Sequence, residues 1–354
     1  MEVSMKEKRR FDALTALKGL FILVIAFHNS QLVKPLAVDV PGAAFLTLYG
    51  GVFGNSVFFI LSGFLIAYNY RERIASRELT VEDFLARRLR KLYPLYLISN
   101  GVALLVDIWM YGPSAVELKK VVFTLLLQQG SALESGNPYN GPTWFLCTLV
   151  VCYVVYYAAV RWTKTTQRYR WGILLGIAWG YTLYKANLSV PFCYRGTGIG
   201  LMNFFIGCAL AELYPALERK PRRWLWPVCL VVLCASLGLC FGFGVEIICG
   251  DVQAAASFLL CPLVVYLAFA EGPCERILRW KPFVYLGKIS ASIFFWHLVL
   301  YKAYCHTMEL VSPEMDMGGV QYLGYVVLLL ACSEISSRLM SRGTKQAAAK
   351  AGTQ

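Results

Sequence analysis

Ten stretches of this chain are apolar over lengths that match the hydrocarbon core of a bilayer, and this repetition constrains the fold more than any motif. They cover roughly 11–30, 43–69, 93–111, 142–160, 171–186, 196–214, 224–244, 252–270, 284–305 and 320–340. One helical crossing takes about 20 apolar residues. A lipid-embedded backbone must satisfy its own hydrogen bonds, so runs of this kind specify helices. The expected fold is therefore all-α: a polytopic membrane protein of about ten transmembrane helices, with one multi-span domain over 1–340. Composition agrees, at 58% hydrophobic and 16% charged residues; soluble domains run at about 45–50% and about 25%. The first run belongs to the series and has no small-residue cleavage site after it, which speaks against a cleaved signal.

A net charge of +13 raises the question of nucleic acid, and the distribution answers it. With the N-terminus in the cytoplasm, 27 of the 34 Lys and Arg fall in the N-terminal segment, the even-numbered loops with their adjoining span ends and the C-terminal tail, and Lys18 lies within the first span. Lys34, Lys119, Lys120, Lys185, Arg195 and Lys302 fall outside. This is the positive-inside asymmetry, and it places both termini in the cytoplasm. No nucleic-acid partner is expected; the partner the charge implies is the lipid bilayer.

The 12 cysteines show no C-x-x-C spacing and no accompanying histidines, so neither a metal site nor a redox motif is expected. Most lie inside spans, where Cys packs as a small apolar residue. Cys193, Cys249 and Cys305 lie in or beside outer loops, which leaves a disulfide among them open. The stretch 112–141 carries "AVELKKVVFTLLLQQ", too short to span and polar on one face, so a re-entrant or interfacial helix is expected there. The tail 341–354 is basic, small and without apolar anchors, and is expected to be disordered.

Against this background a few polar residues stand out. Only three histidines occur in the chain, and "LKGLFILVIAFHNS" puts His28 near one end of the first span. "SIFFWHLVLYK" puts His297 in the ninth, and Asp107 in "ALLVDIWMYG" is a third ionisable group at that depth. Ionisable groups in spans raise a functional hypothesis, although position alone is equally served by a helix-end contact. A carboxylate can orient an imidazole that acts as a general base, which makes His28 and Asp107 the candidate catalytic pair. "YGGVFGNSVFFILSGFLIAYNY" combines Gly50, Gly51, Gly54 and Gly63 with Asn55 and Ser62, small or polar positions where helices or a ligand approach closely. "EDFLARRLRKLYPLYL" supplies Arg87, Arg88 and Arg90, with Arg71 and Arg73 ending the preceding span. This density exceeds what topology requires and suits a multi-phosphate ligand. In "YNGPTWFLC" a Gly-Pro turn delivers Trp144 to the outer mouth of a span.

In this order, the blocks resemble the acyltransferase-3 family of bacterial integral-membrane O-acyltransferases, in the stand-alone form without a fused periplasmic domain. The resemblance rests on Lys18, Gly19 and His28 in the first helix, "GVFGNSVFFILSGFLI", "FLARRLRKLYPLYL", "YNGPTWFLCTLVVCYVVYY" and "ISASIFFWHLVLYK"; residues 170–280 match only as hydrophobic helices. It implies an enzyme of the bacterial cell membrane that moves an acyl group, commonly acetyl, from cytoplasmic acyl-CoA to a hydroxyl of an extracytoplasmic glycan or lipid-linked sugar. No permanently bound cofactor is implied, because the thioester donor supplies the driving force. By position, His28 is the catalytic histidine; Arg87, Arg88 and Arg90 hold the CoA phosphates; Trp144 and His297 line the site. The family places an arginine eleven residues before the histidine. Here Lys18 stands ten before it, about 80° off that face at about 100° per residue, and lacks the guanidinium fork. Lys18 is thus either an acyl-CoA contact or a side chain that snorkels to the inner surface. The rival class is a multi-span transporter of a glycan precursor or small solute. Neither an internal repeat nor matched broken helices support that class.

Overall fold

A computed structural model of the protein describes residues 2–30, 41–128, 138–163, 165–219, 224–243, 250–312 and 319–351. Its helices are α1 (Glu2–Asn29), α2 (Pro41–Ala75), α3 (Val81–Leu89), α4 (Tyr93–Tyr111), α5 (Leu118–Leu125), α6 (Trp144–Trp162), α7 (Thr166–Ala186), α8 (Arg195–Arg219), α9 (Leu225–Phe243), α10 (Val252–Phe269), α11 (Pro273–Leu278), α12 (Lys281–Val311) and α13 (Gly319–Ala351). Among the described residues, eight helices are long and apolar enough to cross a membrane. They are α1, α2, α4, α6, α8, α10, α12 and α13. The other two expected spans are also helices: α7, and α9, whose apolar stretch Leu225–Leu239 is shorter than the rest. The protein is all-α and polytopic; its strands among the described residues are the two-residue pair Ser189–Val190 and Cys193–Tyr194.

The bundle is organised around close helix pairs. α1 lies between α2 and α12, and α8 lies between α2 and α7. Glycines set the first of these distances: Gly19 of α1 and Gly287 of α12 leave no room for a Cβ against the partner backbone, as do Gly63 of α2 and Gly207 of α8. Small residues of this sort let helices approach in lipid, where hydrophobic burial gives little reason to associate. Aromatic rings fill the remaining core, with Phe59, Phe64, Tyr96, Tyr156 and Phe204 among the largest buried side chains. Outward faces of α7 and α13 carry exposed Trp171, Leu175, Leu323 and Val327, as lipid-facing helices do.

α5 shows how the outer segment is accommodated. It follows the far end of α4, yet its carbonyls at Thr124 and Leu125 accept hydrogen bonds from the hydroxyls of Tyr96 (2.6 Å) and Tyr93 (2.7 Å), at the start of α4. α4 has 19 residues, about 28 Å at 1.5 Å per residue. α5 therefore folds back along α4, which selects the re-entrant alternative. Non-helical backbone at membrane depth survives only when neighbouring protein satisfies it, and the two tyrosines do so for carbonyls that end a helix.

One expectation changes and one open point is answered. α13 runs on to Ala351, so residues 341–351 continue a helix instead of forming a disordered tail; "TKQAAAKA" consists mostly of strong helix formers, which outweighs the lack of apolar anchors. Cys193 and Cys305 are free thiols, and Cys249 lies outside the described residues.

Candidate active site

The last turn of α1 delivers His28 against the first half of α2. Its Nδ1 lies 2.7 Å from the carbonyl oxygen of Thr47. A carbonyl can only accept, so Nδ1 carries the proton and the neutral ring keeps its lone pair on Nε2. That Nε2 packs over Gly51, where a Cβ would stand 2.6 Å away, and Gly50 gives similar room to the His28 Cβ. The paired glycines thus seat the imidazole against bare backbone. The ring is half-buried, and among the described residues Nε2 makes no hydrogen bond. A base held in one tautomer with its lone pair unused has the properties of a proton acceptor.

Around it, the sequence-predicted residues separate into two groups. Asn55 is half-buried one turn beyond Gly51 on the same face of α2. Phe59, a further turn along, has its ring 6.3 Å from that of half-buried Trp144. The turn before Trp144 is pinned to α12 by buried Asn140, whose Nδ2 donates to the Phe295 carbonyl at 2.9 Å; Thr143 closes the turn onto the Asn140 carbonyl at 2.6 Å. Ser62 lies on the same stripe of α2, eleven residues past Gly51, or about 16 Å further along, and is also half-buried.

His297 and Asp107 have different duties from those expected. His297 is completely buried. Its Nδ1 donates to the Phe294 carbonyl at 2.8 Å, its Nε2 accepts from Asn29 Nδ2 at 3.1 Å, and its carbonyl accepts from Tyr325 at 2.9 Å. With both nitrogens engaged and no surface, it lines no open cavity; it ties the end of α1 to α12 and α13. Asp107 pairs with Lys302 at 3.1 Å, and Lys302 also reaches the Tyr139 carbonyl at 3.4 Å. Asp107 does not orient His28, because the nearest acceptor for that ring is the Thr47 backbone.

The basic cluster divides in the same way. Arg71 is consumed structurally: it pairs with Glu212 of α8 and lies 4.2 Å from the centre of the Tyr169 ring. Arg73, Arg87 and Arg90 are exposed. Arg88 is half-buried, 4.1 Å from the Tyr70 ring centre, with a buried Nε that has no partner among the described residues. Lys18, also half-buried, is close enough for its charge and that of Arg88 to act on each other. Instead of snorkelling away, the lysine stays in the bundle. Two cations facing each other inside protein are unfavourable unless an anion joins them.

Residues 11–337 match the family model described as Acyltransferase domain, that of the acyltransferase-3 family. The chain belongs to the acyltransferase-3 family. Among curated proteins it is similar to Acyltransferase MdmB of Streptomyces mycarofaciens, 27% identical over 83% of this chain and 79% of that protein. It is also similar to Peptidoglycan O-acetyltransferase OatA of Listeria monocytogenes, 22% identical over 75% of this chain and 47% of that longer protein. No solved structure matches it. As an acyltransferase-3 protein it is a multi-pass membrane enzyme that transfers acyl groups. The parts that family membership alone does not distinguish are Thr47, Asn29 and Asn140. Two act through side-chain amides beside a motif residue, and polar amides within apolar sequence are the signal that could have found them.

Proposed function

We propose that this acyltransferase moves an acyl group, acetyl in the simplest case, from acyl-CoA on the basic-loop side of a bacterial plasma membrane to a hydroxyl of an extracytoplasmic glycan or lipid-linked sugar. The observation that carries the reading is His28: a neutral imidazole oriented by the Thr47 carbonyl, with Nε2 unengaged among the described residues. Nε2 takes the hydroxyl proton as the acceptor oxygen attacks the thioester carbonyl. The tetrahedral intermediate then collapses, the C–S bond breaks, and the CoA thiolate recovers the proton from the imidazolium. General-base assistance of this type is worth about 10²–10⁴-fold.

Charge supports the direction of transfer. Lys18 is ten residues from His28 on one helix, about 15 Å, so the Lys18–Arg88 pair stands one extended arm away from the base. Exposed Arg87 and Arg90 flank Arg88 in sequence, and exposed Arg73 stands three residues past Tyr70, whose ring Arg88 meets. Phosphates would relieve the repulsion between the two half-buried cations, and the extended part of the donor would carry the thioester towards His28. Acceptor specificity is assigned to the Asn55 and Trp144 side, where an amide and an indole face the same end of the bundle as His28. The relative named as acting on peptidoglycan supports a carbohydrate acceptor.

The test is transfer by purified protein in vesicles, using acyl-labelled CoA and a sugar acceptor. Label should move to the acceptor with release of free thiol, and His28→Ala should abolish it while the protein stays monodisperse. Full transfer by His28→Ala would overturn the assignment of the base. Acceptor labelling that persists in Arg88→Ala with unchanged KM for acyl-CoA would overturn the phosphate site.

A further inference from the structure

A cleft of about 270 Å³ opens between α4, α12 and α13. Leu95, Ile98, Leu300, Ile335 and Leu339 line it, so its walls are almost wholly apolar, and exposed Ile98, Ile335 and Leu339 mark where it opens sideways. One wall is Trp296. Its Nε1 is buried and finds no hydrogen-bond acceptor among the described residues. A buried indole N–H ordinarily has a partner, and in a lipid-facing cleft water is not there to provide one.

Lysines stand near the inner ends of two of the helices that form the cleft. Asn140 joined to Phe295 and to Ser99, and Lys302 joined to Asp107, set α4 and α12 side by side in parallel register. Leu95 is one turn from Lys91 on the α4 side, and Lys91 is exposed. On α12, exposed Lys288 shares the face of Val299 and Lys302, the face that meets α4, and lies just beyond the start of α4. α4 itself begins without a side-chain cap and with Pro94 in its first turn, so unsatisfied N–H groups add positive character there.

We propose that this cleft holds one acyl chain of an anionic glycerophospholipid from the leaflet on the basic-loop side. The chain occupies the apolar walls, an ester carbonyl accepts from Trp296, and the phosphate meets Lys91, Lys288 and the start of α4. Hydrocarbon alone offers no acceptor to the indole, whereas an ester lipid brings a chain, an ester acceptor and a charge, in that order from depth to surface. The site is separate from acyl transfer, because no residue assigned to acyl transfer lines it and its lysines are not those assigned to acyl-CoA.

Native mass spectrometry of the intact purified protein with equal amounts of phosphatidylglycerol and phosphatidylcholine of the same chains tests it. The wild type should retain the anionic lipid about tenfold more, as two lysines near a charged surface imply. Trp296→Phe should lower retention of both lipids by about fivefold to tenfold, the loss of one hydrogen bond. Lys91→Gln with Lys288→Gln should bring the two lipids to within about twofold while the neutral one is still held. Ser336→Phe, at the cleft wall, should exclude both; if it fails to fold, Trp296→Phe decides. Equal retention of the two lipids by the wild type, or undiminished retention by Trp296→Phe, overturns the proposal.

Discussion

His28 and His297 stand on helices that touch, one residue of separation apart through Asn29, and differ in every respect that chemistry uses. His28 is half-buried, has one nitrogen fixed by a backbone carbonyl, and rests the other on glycine. His297 has no exposed surface and spends both nitrogens on hydrogen bonds. An imidazole with an unspent lone pair can exchange a proton during a reaction, and one whose nitrogens are both engaged can only hold parts together. Residue type and depth do not separate these cases; the partners do.

That contrast is broken most severely by His28→Ala. Turnover should fall by about 10²–10⁴-fold with helicity by circular dichroism unchanged. Gly51→Ala puts a methyl where Nε2 now rests, so the ring must tilt. Its activity should fall at least about tenfold, as a small misplacement of a catalytic group does, with less than about 1 kcal/mol lost in denaturant titrations. His297→Leu should show the opposite balance. Stability should drop by about 1–3 kcal/mol, because the Asn29 amide and the Phe294 carbonyl lose a buried partner. The pH dependence of the residual activity should keep its position, because a His297 with both nitrogens engaged exchanges no proton; a moved acid limb would make His297 a proton carrier after all.

Smaller effects sharpen the distinction further from the site. Asp107→Asn removes a partly exposed ion pair, so kcat should stay within about twofold and stability should fall by about 1 kcal/mol or less. At the start of α10, burial pushes the Asp251 carboxyl up, but hydrogen bonds from Lys185 at the end of α7, the Ala254 N–H and Tyr184 outweigh it and hold the group below the ordinary carboxylate range. Its folded value is the lower one, so its contribution is present above the unfolded carboxylate value and is lost as pH falls below about 4. Asp251→Asn should therefore lower thermal stability at neutral pH and flatten the acid end of the profile, where the wild type loses that contribution.

The sequence made the helices legible because lipid demands long apolar runs, and the expected spans coincide with helices throughout the described residues. It also brought His28, Gly51, Asn55, Trp144 and Arg88 into view as motif residues. Arg71 and Asp107 were misread for one reason: their counter-charges, Glu212 and Lys302, are distant in sequence, and no local pattern reports a pairing across helices. The role of Thr47 was invisible for another reason, since a backbone carbonyl has no residue identity to recognise. α5 was ambiguous because eight residues with one apolar face suit a membrane surface and a re-entrant hairpin equally; only the tyrosines that meet its end separate the two.

Those tyrosines also impose an order in time. A helix as short as α5 ends in carbonyls that hydrocarbon will not tolerate unpaired, each a penalty of several kcal/mol. Two of its last ones bind hydroxyls that belong to α4. During biogenesis, α4 must already lie across the bilayer, with Tyr93 and Tyr96 in position, before the following segment can leave the outer surface and settle beside it. The hairpin is thus a late event of assembly, and the turn that carries Asn140 and Trp144 to the mouth of the site comes later still.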